Sequence, residues 1–140
     1  ISARFAQPEV AEALREVGIA SPAALMATWV TDLTGLEKYA SNAPPVTDDH
    51  PRIEYATWVR RGEITRVLPE LLALWSAPPI RGADDQFWND LAGERELLLN
   101  FYAAGIATYN GDRERWERLI TSVNSHDHRN PYYRWIAGGE

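Results

Sequence analysis

Cysteine is absent from this chain of 140 residues. That removes disulfide scaffolds, thiolate metal sites and thiol nucleophiles together, and it fits a reducing, cytoplasmic setting. No apolar run approaches the ~20 residues needed to cross a bilayer, and no leader pattern opens the chain, so membrane insertion by this chain is not expected. A stripe of basic side chains is also missing. With a formal net charge of −6, a surface that tracks nucleic-acid phosphates is not expected. No serine stands in a nucleophile motif, which leaves hydrolase chemistry without a sequence basis.

What is present reads as globular. Hydrophobic residues make up 45% and aromatics 11%, with six tryptophans to anchor packing. The length suits one domain with a proper core. The acidic balance suits either a plain solvated surface or a cationic partner. The first residue is Ile1, and we expect the chain to be a piece of a longer one.

Helical periodicity dominates. Pro8 at a first helical position, with Val10, Leu14 and Val17, predicts a short amphipathic helix that Gly18-Ile19 stops. Ser21-Pro22 restarts the pattern, and Leu25, Met26, Trp29 and Val30 supply an expected buried face. Thr34-Gly35-Leu36-Glu37 matches a capping box opening a third helix through about Ala40, which Asn42-Ala43-Pro44-Pro45 breaks. Arg52 to Tyr55 alternates polar and apolar and can form a short strand-like segment. Val67, Leu68, Leu71, Leu72 and Trp75 then make a helical stripe from near Gly62-Glu63 to Pro78-Pro79, with Pro69 inside it predicting a kink. Asp84-Asp85 reads as the charged start of a helix running to Tyr109, with Phe87, Trp88, Leu91, Leu98, Phe101, Tyr102 and Ile106 available for burial. Asn110-Gly111 stops it and Asp112 caps the next helix, whose Trp116, Leu119, Ile120 and Val123 fall at i, i+3, i+4 and i+7. Asn124 to Asn130 reads as a polar loop, and Pro131 begins a last helix, Tyr132 to Ala137.

The fold class expected is therefore mainly α: short capped helices followed by helical hairpins, with at most one short strand-like segment. Two regions are expected, 1–59 and 60–140, as one compact unit. His126-Asp127-His128 can share a metal ion only if a third ligand comes from elsewhere, and otherwise is plain surface; no metal is expected. Tyr132, Tyr133 and Trp135 are either the closing edge of a core, a dimer contact or a binding lip.

The stretch where the helical alternation stops is Thr47-Asp48-Asp49-His50-Pro51-Arg52-Ile53-Glu54-Tyr55. It resembles a segment of the bacterial spermidine-synthase-like proteins, the atypical ones often fused to a transporter-like membrane region. The likeness covers about thirty residues, Trp29 to Trp58. The resemblance implies a parent protein with a Rossmann-like core, which uses decarboxylated S-adenosylmethionine and transfers an aminopropyl group to a polyamine. That core is missing here: no Gly-x-Gly-x-Gly loop follows a strand, no acidic residue is placed for a ribose, and no strand-end Asp-x-x-Asp pair occurs. The chain is thus expected to be a C-terminal accessory region, not catalytic by itself, at the inner face of the membrane in the full-length parent. It carries over Asp48, Asp49 and Glu54 as candidate polyamine-facing residues, which can meet ammonium groups by charge-assisted hydrogen bonds. The alternative is that Asp48 and Asp49 hold turn and cap amides while Glu54 pairs an arginine. Asn100 to Pro131 also resembles a degenerate tetratricopeptide unit, with Ala104 and Ala107 where small residues let helices approach, though Trp116 departs from that pattern. The rival reading is a stand-alone helical-repeat binding module. Either way, self-association through an exposed apolar patch is expected.

Overall fold

The computed structural model describes residues 2–43 and 62–138. These form helices α1 (Ser2–Phe5), α2 (Pro8–Glu16), α3 (Pro22–Ala27), α4 (Leu33–Ala40), α5 (Ile64–Leu72), α6 (Asp85–Asn110), α7 (Arg113–His126) and α8 (Pro131–Ile136). No strand occurs among the described residues, so the fold is mainly α. The segment 52–55 and the expected boundary at 59/60 lie outside them. Two compact units are found: one takes the described residues up to Trp29 and from Pro79 onward, and the other those between Val30 and Pro78.

In the first unit α6 is the spine. Its 26 residues give a rod about 39 Å long at 1.5 Å per residue. Asp84 caps it by accepting from the Phe87 amide at 2.8 Å, which confirms the reading of Asp84-Asp85 as a helix start. Gly93 and Gly105 do not interrupt it. At the far end Gly111 turns left-handed (φ 69°), its amide reaching the Thr108 carbonyl and the Asp112 amide the Ala107 carbonyl. This is the paired C-terminal bonding that a glycine permits without a Cβ penalty. Asp112 then turns outward to cap α7, accepting from the Arg115 amide. The chain therefore doubles back within two residues, and α6 packs most extensively against α7 and next against α3.

Small side chains make these approaches possible. Ala104 is 0% exposed and Ala107 is as deeply buried, on the stretch of α6 nearest the turn. At the other end Ala23 and Ala27 of α3 pack on Leu91, with Met26, Phe87, Trp88 and Leu98 around them. Of the expected buried face of Leu25, Met26, Trp29 and Val30, Met26 packs on this cluster, while the fully buried positions are the alanines. α3 ends at Ala27, so Trp29 and Val30 lie past it, and one turn of alanine spacing sits closest to the partner helix. A second cluster joins Ile120 and Val123 of α7 to Tyr133 of α8, with Phe101, Trp116 and Ile136 around it. The polar loop from Asn124 is also corrected: α7 continues to His126, because Val123 is fully buried and the helix persists beyond it. Exposed Arg113–Glu117 and Glu114–Arg118 pairs run along its outer side.

In the second unit α4 begins two residues earlier than the capping box at Thr34 implies. Asp32 is the cap and accepts from the Gly35 amide at 3.0 Å, a carboxylate at the positive helix end outcompeting the threonine hydroxyl. The Asp32 amide donates to Ser76 Oγ at 3.1 Å and the Ser76 amide to the Val30 carbonyl at 3.3 Å. These bonds tie the start of α4 to the segment after α5. The helix α5 stops at Leu72, not at the prolines, so Trp75 lies beyond it and is exposed. Pro69 sits inside α5.

Ala104→Leu is expected to destabilise the protein by about 1–3 kcal/mol, since the added methylenes have no space. Ala92→Leu, on an exposed face of the same helix, should stay within about 0.5 kcal/mol. Urea denaturation of both variants checks this.

Candidate functional site

The residues singled out by the sequence as polyamine-facing, Asp48, Asp49 and Glu54, lie outside the described residues. Of the other candidates, His126 closes the last turn of α7 and His128 sits in the turn after it. No group of three metal-ligating side chains occurs among the described residues. The terminal aromatics divide: Tyr133 is buried in the core, whereas Tyr132 is half-exposed and Trp135 is 74% exposed.

A pocket of ≈300 Å³ forms in the first unit where the end of α2, the face of α3, the middle of α6 and the start of α8 converge. Its geometry begins at Gly18. The α2 helix closes with the Gly18 amide on the Arg15 carbonyl and the Ile19 amide on the Leu14 carbonyl at 2.8 Å, with Gly18 at φ 77°. That conformation turns the Gly18 carbonyl to Asn130, whose Nδ2 donates to it at 3.0 Å. The same Asn130 caps α8 through Oδ1, which accepts from the Tyr132 amide at 3.0 Å and the Tyr133 amide at 3.4 Å. A Cβ on Gly18 would stand 2.9 Å from both Asn130 Oδ1 and the Tyr132 ring. Glycine is therefore required there twice, by its backbone angle and by the closeness of its neighbours.

Around this joint lie the rings of Phe101, Tyr102, Tyr132 and Tyr133, together with Glu94. Phe101 packs on Tyr133 at a centroid distance of 5.3 Å and on Tyr102 at 5.8 Å, both tilted. Among the described residues of the wall, Glu94 is the only formally charged side chain. Burial lifts its carboxyl above the ordinary range; the nearby charge of His126 opposes this, while Asp127 and Asp90 reinforce it. Burial likewise pushes the Tyr133 hydroxyl up to about 12, with Glu94, Asp127 and Tyr102 adding to the shift. The Tyr102 hydroxyl also rises through burial, against the pull of Arg95. Burial lowers the Arg95 guanidinium, and Arg95 donates to the Trp29 carbonyl at 3.2 Å, beyond the end of α3. The wall thus offers one carboxylate, protonated phenols and aromatic faces. It is suited to holding a ligand, and among its described residues it has no activated nucleophile.

A second concavity of ≈600 Å³ lies between the end of α6, the start of α7 and α8. Trp116, Trp135, Ile136 and Ala107 give it an apolar lining, with Asp112 and Arg113 at its edge. The sequence marks Trp135 as a terminal aromatic, and the structure sets it in this groove.

Glu94 was missed, although a signal exists. Leu91, Glu94, Leu98 and Phe101 recur at spacings of three, four and three, which puts a charge on the inward stripe of α6. No family model matches the chain, no curated protein matches it, and no solved structure does so.

Asn130→Ala is expected to cost about 2–3 kcal/mol, from the lost cap and the stranded Gly18 carbonyl. Asn130→Asp retains the cap oxygen but loses the donor, and should also destabilise; denaturant midpoints measure both. For Glu94 the folded chain holds the proton more tightly than the unfolded chain does. Its contribution to stability is therefore greatest below the unfolded value and falls as pH rises through the raised folded value. Glu94→Gln should raise the melting temperature at neutral pH and change it little at about pH 4 or below, as calorimetric scans across pH will record.

Proposed function

We propose that this chain is an accessory helical region of a spermidine-synthase-like protein, supporting a separate nucleotide-binding core that performs aminopropyl transfer. The observation that carries the reading is the Thr47-Asp48-Asp49-His50-Pro51-Arg52-Ile53-Glu54-Tyr55 stretch, whose acidic and proline pattern resembles that family. The apolar groove at Trp116 and Trp135 adds support, because an exposed tryptophan beside a concave apolar lining is the kind of surface that a neighbouring domain covers. On this reading decarboxylated S-adenosylmethionine is a co-substrate of the core, and Asp48, Asp49 and Glu54 face the polyamine.

A stand-alone helical-repeat module for protein binding is the second reading. It is favoured by the tight α6–α7 turn and by the buried Ala104 and Ala107 beside it.

Two measurements separate them. The codons upstream of Ile1 should specify a glycine-rich nucleotide loop with its acidic partner; further helix pairs there would instead favour the repeat module. In calorimetry with spermidine, the double change Asp48→Asn and Asp49→Asn should weaken binding by about tenfold or more. Binding unaltered by that change would reject the carboxylates as a site.

A further inference from the structure

We infer that the pocket walled by Glu94, Phe101, Tyr102, Tyr132 and Tyr133 binds the head group of a small alkylated ammonium ion. The inference is independent of the family reading above and concerns a different part of the chain. Among the described residues, four aromatic side chains and one carboxylate line a space of ≈300 Å³. Ring faces carry negative quadrupole potential, and a desolvated cation gains from several of them at once.

Two of the other polar side chains in the wall, Thr28 and Asn130, are already committed. Thr28 Oγ1 donates to the Leu25 carbonyl at 2.7 Å, and both polar atoms of the Asn130 amide are engaged at Gly18 and at the start of α8. Glu94 itself makes no hydrogen bond or ion pair among the described residues, so a half-buried charge stands without a direct counterion.

The charges around Glu94 point the same way. Asp90 one turn earlier on α6 and Asp127 after α7 add negative potential, which His126 offsets in part. Tyr133 presents its phenol from α8, and Arg95 donates to the Trp29 carbonyl while its charge acts on Tyr102 of the wall. An anion would face the Glu94 carboxylate, and a neutral apolar guest would leave that carboxylate uncompensated. A primary ammonium needs acceptors for three N–H groups, and Glu94 is the sole charged acceptor among the described residues of the wall. An alkylated ammonium makes no such demand: it packs its methyl groups on the rings and its charge against Glu94.

The test is a titration with tetramethylammonium chloride followed in ¹H–¹⁵N spectra, against sodium chloride at equal ionic strength. tert-Butanol serves as a neutral probe of the same shape. Saturable shifts are expected at the amides of Gly18 and Glu94 and at the Asn130 side chain, with tert-butanol at least about tenfold weaker. Glu94→Gln and Tyr132→Leu should each weaken binding by about five- to tenfold. Tyr132 is half-exposed, so its replacement leaves the core intact. Equal binding of tert-butanol would overturn the inference, as would no saturable shift up to about 50 mM, or an affinity indifferent to Glu94→Gln. Tetramethylammonium has no N–H to donate to Asp48 or Asp49, so its failure at this pocket leaves the polyamine reading standing.

Discussion

Gly18 and Asn130 are separated by 112 positions in the chain and joined by one hydrogen bond at 3.0 Å. Asn130 is almost fully buried, so an unpaired amide there would bear the cost of desolvation. It escapes that cost only if three partners are in place at once: the carbonyl released by the left-handed glycine, and two amides at the head of α8. The end of α2 and the start of α8 consequently cannot be placed independently. Tyr132 and Tyr133 follow from the same cap, since their amides are the ones it holds. The two tyrosines that α8 adds to the pocket wall are therefore positioned by a backbone turn after α2 that contains no aromatic residue.

The long helix α6 links this joint to the rest of its unit. Its Leu91 turn meets the alanines of α3, and its Phe101 turn joins the cluster of α7 and α8. Glu94 falls between these apolar turns, where its methylenes can pack while the carboxyl meets a poor solvent. The raised proton affinity is a consequence of that placement on the helix, and the acidic neighbours Asp90 and Asp127 deepen it. A charge at this point weakens the fold and gives the pocket its polarity.

Much of the secondary structure was legible because its signals are local. The Pro8 start, the Gly18-Ile19 stop, the Ser21 cap and the Asn110-Gly111-Asp112 turn each depend on a few adjacent residues, and each occurs as read. Failures came where two local signals competed or where tertiary burial decided. Asp32 displaced Thr34 as a cap, and the burial of Val123 carried α7 through a run of polar residues that reads as loop. On α3 Met26 packs as read, but the alanines at the centre of the contact were missed because alanine is a weak hydrophobic signal, yet close helix approach selects it. The pocket was less legible than the fold. Its walls come from four distant segments, and no periodic pattern reports that Gly18 and Asn130 meet. The carboxylates Asp48, Asp49 and Glu54 lie outside the described residues, so their reading still rests on sequence.

Asp112 has two duties in the turn between α6 and α7. Its amide closes the first helix on the Ala107 carbonyl, and its carboxylate opens the second on the Arg115 amide. One extra residue in this turn would separate those duties and rotate the incoming helix by roughly 100°, carrying Val123 out of its contact and charged arginines into it. Length variation should therefore be tolerated elsewhere, at the exposed Arg81-Gly82, while this corner keeps a fixed count.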